Sequence, residues 1–497
     1  MLDLIVRNAR IVDGTGAPAF DGDVEVQDGR IATVGTARGK AKEEIDAKGL
    51  CLSPGFIDVH THDDGALLRH PDMTFKLAQG VTTCVCGNCG FSAIPAVAGA
   101  DPGSASGGIL SGAGGDFSNL EGYFDAVLAR RPAVNAIMLV GHNTVRAMVM
   151  GMDAREPTAA ELTQMKGKVA EAMEQGACGF STGLIYRPGR WAKTDEVIEL
   201  AREVTPHKAL YATHMRNEGD RLLEAVDETL TIGRATGLHV HISHHKSAGK
   251  RNWGKVRQSL AAVDRARATG QGVTLDAYPY TAGSGRMIEY FNLNAIDRDY
   301  AELMRIANCP AFREFEGRML IDIARERGED IADLVRMILT APQGDRTICI
   351  HFIIDEADIE ENYRYRDMMV GSDGIPDLKG KPHPRLFGTF PRFLGEYARD
   401  RGLLPLEAAV ARMTSISADT FGLVDRGRIA PGRFADLVLF DPANIRDTAT
   451  YDDPKQYPAG IVAVVVNGTI AHRDGQNTNA GAGQMLRYRR EAYKAQG

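Results

Sequence analysis

Residues 55–62 read GFIDVHTH. An apolar stretch of strand length opens on a glycine and closes on two histidines two positions apart. Side chains alternate along a strand, so both imidazoles would leave it on one face. The same layout recurs at GVTTCVCGNC (80–89), AIMLVGH (136–142), ACGFSTGL (177–184), ALYATHMR (209–216), LHVHISHH (238–245), VTLDAYPY (273–280) and MMVGSDG (368–374). Segments of helical periodicity stand between them. Two are TAAELTQMKGKVAEAMEQG (158–176) and DRLLEAVDETLTIGRATG (220–237), the second stopped by glycine. Eight strands alternating with helices predict an α/β fold of the (β/α)8, TIM-like barrel type. A doubly wound open sheet is the competing architecture. It would usually carry a glycine-rich phosphate loop after its first strand, and none follows GFIDVHTH.

The two chain ends have another texture. Residues 1–54 hold short β segments (Leu4–Val6, Asp23–Val26, Arg30–Val34) broken by glycine turns, and 420–497 hold GRIAPGRFADLVLFDP and GIVAVVVNGTIAHRDG. They predict one small β domain built from both ends, with the barrel, 55–419, inserted between them. From 282 to 345 helix formers dominate, which predicts a helical insertion after the seventh strand that caps the site. TICIHFIID (347–355) reads as an extra strand where the chain rejoins the barrel. Residues 97–118, rich in glycine and polar residues, read as a long loop near the barrel mouth.

The bulk composition is that of a globular protein, 44% hydrophobic and 25% charged, with a net charge of −7. No block of Lys and Arg appears, which argues against a nucleic-acid or anionic-membrane surface. The start, MLDLIVRNARIVDG, lacks the basic and long apolar regions of a signal peptide. The apolar run Ile461–Val466 is too short to span a bilayer. Seven cysteines in 497 residues argue against a secreted disulfide framework and for a reducing, cytoplasmic setting. The oligomeric state is left open.

Active sites of such barrels lie at the C-terminal ends of the strands. His60 and His62 end the first strand, Cys89 the second, His214 the fifth, His244 the sixth and Asp373 the eighth. Any one alone reads as an ordinary hydrogen-bonded histidine, a packed thiol or a turn former. Together they place six metal-type ligands at one end of one barrel. His142 ends the third strand and is expected to line the site. His245 faces away from His244 and, with His70, His207, His239, His241, His351 and His472, is read as structural. Cys84 and Cys86 sit inside the apolar run and are read as packing thiols.

The motifs PGFIDVHTHDD, GVTTCVCGNCG, GHNTVR, GFSTGLIY, YATHMRNE, ISHHK, DAYPYTAG, GSDG and HPRLFGTFPR resemble those of the D-aminoacylase (N-acyl-D-amino-acid deacylase) family. That family belongs to the amidohydrolase superfamily of metal-dependent (β/α)8 hydrolases. The resemblance covers nearly the whole chain, including ends that match the family's split β-sandwich. It implies that Cys89, His214 and His244 hold one tight Zn²⁺, with His60, His62 and Asp373 at a second, weaker position. It implies a substrate of the N-acyl-D-amino acid class. The fourth strand, ACGFSTGL, has no lysine to bridge two metals, which matches the subset in which the second-strand cysteine takes that place.

A thiolate with imidazoles suits zinc and leaves a position for water, whose pKa the metal lowers. Asp373 is the expected general base and then acid. Tyr186 and His142 are candidates for polarising the carbonyl. A substrate carboxylate would be met by Arg385, Lys246, Tyr278, Tyr280 and Ser284. Lys246 leaves acidic (N-acyl-D-glutamate) and apolar side chains both open; Arg286 and Arg298 in the insertion add positive charge. The competing readings are a cyclic-amide hydrolase of the hydantoinase or dihydroorotase type, a non-catalytic metal-binding barrel, and a zinc-knuckle nucleic-acid module. The missing lysine, the retained Asp373 and the charge argue against them in turn.

Overall fold

Each of the eight apolar segments contains an observed strand in the computed structural model, which describes residues 1–95 and 117–488. These strands are Phe56–Asp58, Val81–Cys86, Asn135–Met138 with Val140–Gly141, Gly179–Gly183, Leu210–His214, His239–Ile242, Val273–Ala277 and Met368–Val370. Successive strands pair in parallel from the first to the eighth. A parallel bridge from Thr61 to Gly374 brings the last back to the first. The domain is TIM-barrel-like. The helices between strands follow their local signals. Ala159–Glu174 starts on a capping box in which Thr158 and Glu161 satisfy each other's backbone N–H groups. Leu222–Thr236 ends at Gly237, whose φ of 71° suits glycine.

The chain ends form one nine-stranded sheet. Five of its strands lie within residues 2–54, and four within 437–477. The halves meet where Cys51–Pro54 runs antiparallel to Leu437–Phe440. Its alternating residues pack a core of Leu4, Val6, Val24, Val26, Leu52, Leu437 and Leu439, all buried. Among the described residues no helix is long and apolar enough to cross a membrane.

The insertion differs from the expectation. It holds the helices Leu320–Arg327 and Ile331–Thr340, but also a three-stranded antiparallel sheet of Gly283–Arg286, Ile348–His351 and Met304–Asn308. The expected helical insertion over 282–345 is therefore a mixed α/β one. TICIHFIID supplies its central strand rather than an extra barrel strand. The strands are four or five residues long, and one reads GSGR. Their pairing comes from tertiary packing, not from a local pattern. Of the expected loop at 97–118, residues 97–116 lie outside the described residues.

Candidate metal centre and its surroundings

The first strand's ladder stops at Asp58, so His60 and His62 stand on the segment just beyond it. That segment is clamped to the end of the eighth strand: Asp373 N donates to His60 O (2.7 Å) and His62 N to Gly374 O (3.1 Å). The approach is close, for a Cβ at Gly371 would meet His60 Cβ at 2.5 Å. Cys89, His244 and Asp373 all have positive φ, at 54°, 35° and 49°. Left-handed backbone at three non-glycine residues is strain, and strain gathers at functional sites. Each follows the last ladder pair of its strand, where the chain turns inward over the barrel.

The six expected ligands come together. Cys89 Sγ lies 3.2 Å from His60 Nε2, 3.4 Å from His244 Nε2 and 3.7 Å from His214 Nδ1. Asp373 Oδ1 lies 3.2 Å from His62 Nε2 and 3.7 Å from His60 Nε2. Donor atoms of His60, Cys89, His244 and Asp373 fall within 4.8 Å of one another, as do those of His214, Glu218 and His244. The two groups share His244, and Cys89 sits at the centre rather than to one side. All six residues are buried.

Burial pushes the Cys89 thiol well above its usual pKa and the His62 imidazole down to about 4. It also lowers His214 and His244. Burial opposes ionisation of Asp373 too, but the Arg385 guanidinium and His244 beside it hold its carboxyl well below the usual range. A thiol and imidazoles that burial keeps uncharged suit a metal cation, which turns a thiol into a thiolate and takes up imidazole lone pairs. His214 Nε2 and His62 Nδ1 have no hydrogen-bond partner among the described residues. This sulfur, nitrogen and carboxylate set fits Zn²⁺ better than a hard, oxygen-seeking cation.

Three residues that the sequence did not single out support the cluster. Asp276, at the end of the seventh strand, accepts from His241 Nε2 (2.7 Å) and His244 N (3.0 Å), and lies 3.6 Å from His60 Nδ1. A carboxylate behind a ligating imidazole fixes its ring and tautomer. Glu218 bridges His244 Nδ1 (2.9 Å) and Lys246 Nζ (2.6 Å). Its spacing of four from His214 was the available signal. Lys76 is wholly buried and reaches Asp58 (2.6 Å), Asp63 (3.1 Å) and Ser372 Oγ (3.1 Å). Asp58 in turn accepts from Ser372 N (2.8 Å), next to Asp373. Nothing in the segment TFKL marks Lys76 as more than a surface lysine.

Around the cluster, Arg385 Nη2 pairs with Asp373 Oδ2 at 2.9 Å and contacts Ser284 O at 3.4 Å. Its Nε and Nη1 have no partner among the described residues. The Tyr278 ring lies under Arg385 at 4.5 Å and Lys246 at 5.6 Å. The Tyr186 ring packs 4.7 Å from His214. His351, read as structural, sits at the rim: Nδ1 meets Tyr300 OH at 2.9 Å, and Nε2 has no partner among the described residues.

Two expected contacts go elsewhere. His142 begins the helix His142–Met150, which turns it away from the barrel mouth, and its Nε2 meets Glu196 at 2.9 Å. Tyr280 donates its hydroxyl to Asp447 (2.7 Å), a partner from the C-terminal segment that no local pattern announces.

The model of the amidohydrolase family matches residues 43–332 and 367–472. D-aminoacylase of Alcaligenes xylosoxydans xylosoxydans is 43% identical over 97% of each chain. The chain belongs to the D-aminoacylase family of amidohydrolases. Within it, the crystal structure of N-acyl-D-glutamate deacylase from Bordetella bronchiseptica, with zinc and a phosphonate mimic of the tetrahedral intermediate, is 40% identical. It superposes with a TM-score of 0.89 over 98% of this chain and 99% of that one. A D-hydantoinase structure, 17% identical with a TM-score of 0.61 over 99% of each chain, shares the fold alone.

Proposed function

We propose that this chain is a zinc-dependent hydrolase of N-acyl-D-amino acids, releasing a carboxylate and a free D-amino acid. One observation carries the reading: a buried thiol among three imidazoles opens beside an arginine that has two unpartnered nitrogens. Family membership adds the substrate class and the D configuration, since the D-aminoacylase relative and the zinc-bound D-glutamate deacylase carry these in their names.

Cys89, His214 and His244 would hold the tight zinc, and His60, His62 and Asp373 the weaker position. Bound zinc would polarise the amide carbonyl and acidify a water. The remaining steps belong to the chain's own residues. Arg385, through Nε and Nη1, binds the α-carboxylate, with Tyr278 stacked beneath it. Ser284 borders the same space, and Tyr186 and Lys246 frame its inner wall. Asp373 Oδ1 takes the proton of the attacking water and returns it to the leaving nitrogen. His62 and Arg385 orient that carboxylate from either side, and Lys76 holds its loop through Ser372 and Asp58.

The division into a β-sandwich domain (1–54 plus 420–497) around a barrel domain (55–419) is supported by the terminal sheet, whose strands come only from those two segments. A cytoplasmic setting is supported by seven free, buried cysteines. The cyclic-amide reading has less behind it, since the fourth strand, GFSTG, offers no lysine.

The test pairs metal analysis with a screen of N-acetyl amino acids in both enantiomers. Purified protein should hold about one equivalent of zinc and release amine from D substrates. Cys89→Ala should lose zinc and turnover together, whereas Cys84→Ala should keep both. Equal effects of the two substitutions, or full activity without metal, would remove Cys89 from the role assigned to it.

A further inference from the structure

Between the strands Leu437–Phe440 and Ile461–Val466 the chain leaves the terminal sheet. Arg446 and Ala459 exchange backbone hydrogen bonds (3.2 and 3.0 Å) and close the neck of an Ω-type loop, 447–458. The loop reaches three walls of the barrel mouth. Asp447 accepts from Tyr280 OH beyond the seventh strand (2.7 Å), Asp452 pairs with Arg305 of the insertion (2.6 Å), and Lys455 Nζ donates to Leu378 O after the eighth strand (2.6 Å). None of these contacts is needed to complete the sheet itself.

Asp447 is the buried member of the three. Its side chain is 4% exposed, and Gly388, within the helix Arg385–Arg392, lies so close to it that no Cβ would fit. Burying a carboxylate costs free energy unless its partners are held in place. Tyr280 OH and Ala449 N (2.8 Å) donate to it, and Arg392 stands 4.0 Å away with its guanidinium over the Tyr280 ring (4.8 Å). The Tyr280 ring meets the His383 ring at 5.2 Å and 90°, and Tyr451 of the same loop meets it at 5.2 Å and 79°. His383 is buried and spends both ring nitrogens: Nε2 donates to Ala282 O (2.9 Å), and Nδ1 accepts from Arg385 N (3.0 Å). A carbonyl only accepts and an amide N–H only donates, so the tautomer is fixed. The imidazole joins the Arg385 backbone to Ala282, two residues before Ser284, whose carbonyl contacts Arg385 Nη2 (3.4 Å). One ring thereby fixes the origin of the Arg385 side chain and a contact of its tip.

We propose that the loop 447–458 belongs to the substrate-binding apparatus, with Asp447, Tyr280 and His383 as positioning residues that aim Arg385 at the α-carboxylate of the substrate. The proposal rests on the deacylase reading above. A small shift of Arg385 weakens a bidentate contact with that carboxylate. Asp373 still keeps His62 (3.2 Å) and can still move its proton. Lost positioning is therefore lost binding, in which KM rises and kcat changes little.

The test measures kcat and KM per folded molecule for N-acetyl-D-leucine with the zinc-loaded full-length enzyme. Tyr280→Phe removes one hydroxyl and keeps the ring against His383. It should raise KM about 3- to 10-fold with kcat within about twofold. Asp447→Ala should do the same, and the double variant should be no worse than either single one, since both break one hydrogen bond. Asp447→Asn keeps an acceptor for Tyr280 and should hold KM near wild type. His383→Ala should raise KM the most, about tenfold or more. His383→Asn, whose side-chain oxygen can still accept from Arg385 N, should recover part of that loss. Variants that lower the urea midpoint while KM stays at the wild-type value, or that lower kcat alone, would overturn the positioning role. In that case wild-type turnover of N-acetyl-D-leucine would still uphold the deacylase reading. If the wild type releases no amine from any D substrate, both readings fall together.

Discussion

Two buried polar networks sit at opposite ends of the barrel, and they are built on opposite principles. At the foot, Asn135, Arg426, Asp436 and Asn467 tie the third strand to the terminal sheet. Asn467 Nδ2 donates to Asn135 Oδ1 (2.8 Å), Asn467 N to Asp436 Oδ1 (2.7 Å) and Arg426 Nη2 to Asn467 Oδ1 (2.8 Å), while Arg426 also pairs with Asp436. None of its buried polar atoms is without a partner among the described residues. At the mouth, His62, His351 and Arg385 each keep a buried nitrogen with no hydrogen-bond partner among the described residues. Leaving a buried polar group unpaired costs on the order of 1–3 kcal/mol. A network that is satisfied at the foot and incomplete at the mouth leaves room at the mouth for a group that comes from outside. Buried polarity alone marks neither function nor structure; the pattern of missing partners separates them.

The largest expected effect breaks the mouth and spares the foot. Asp373→Asn should lower kcat per folded molecule by about 10²- to 10⁴-fold while zinc content stays close to wild type; the buried Arg385 loses its charged partner, so the thermal midpoint falls as well. Turnover within threefold of wild type would take Asp373 out of the proton transfer. The converse change is Asp436→Ala, which strands the Arg426 guanidinium in the foot. Losing one partner of a buried pair costs about 3–5 kcal/mol, to be read from urea unfolding, with kcat per folded molecule nearly unchanged. A fall in kcat without loss of stability would show that the foot is not purely structural.

The smallest effect concerns imidazoles that are satisfied yet titratable. His239 and His245 stay neutral because burial lowers both to about 4, against the usual 6.5. The unfolded chain takes up those protons as pH falls below 6.5, and the folded chain does so only near 4. Stability from this source is therefore complete above pH 6.5 and drains between 6.5 and about 4. The sum approaches roughly 3 kcal/mol for each imidazole at the acid end, and only a fraction of that at mildly acid pH. Urea midpoints across that range should fall; a flat profile would contradict the assignment.

The barrel and the residues that cluster at its mouth are legible in the sequence for a physical reason. A parallel strand buried on both faces must be a continuous apolar run, so a histidine, cysteine or aspartate closing such a run stands out. His60, Cys89, His214, His244 and Asp373 were all found that way. The groups that orient them were not, because they act across the chain. Asp276 belongs to a motif valued for its tyrosines, Lys76 to an unremarkable helical turn, and Glu218 to a loop. The misplaced residues fail for the same reason. A tyrosine or histidine takes whichever partner the fold brings near, and for Tyr280 and His142 those partners are Asp447 and Glu196. The insertion's short strands were hidden because their pairing, not their composition, makes them strands.

The meeting of the two chain ends has a consequence for how the protein is made. The edge presented by Cys51–Pro54 gains its neighbour only when Leu437–Phe440 has been synthesised. At roughly 5–20 residues per second, the ribosome needs about 20–80 s to reach it. For that time the nascent chain carries an open β edge beside an unfinished barrel, the kind of surface on which chains pair with one another. Slow synthesis or early truncation should therefore favour aggregates seeded by the first strands, and chaperones that shield extended edges should raise the yield of active enzyme.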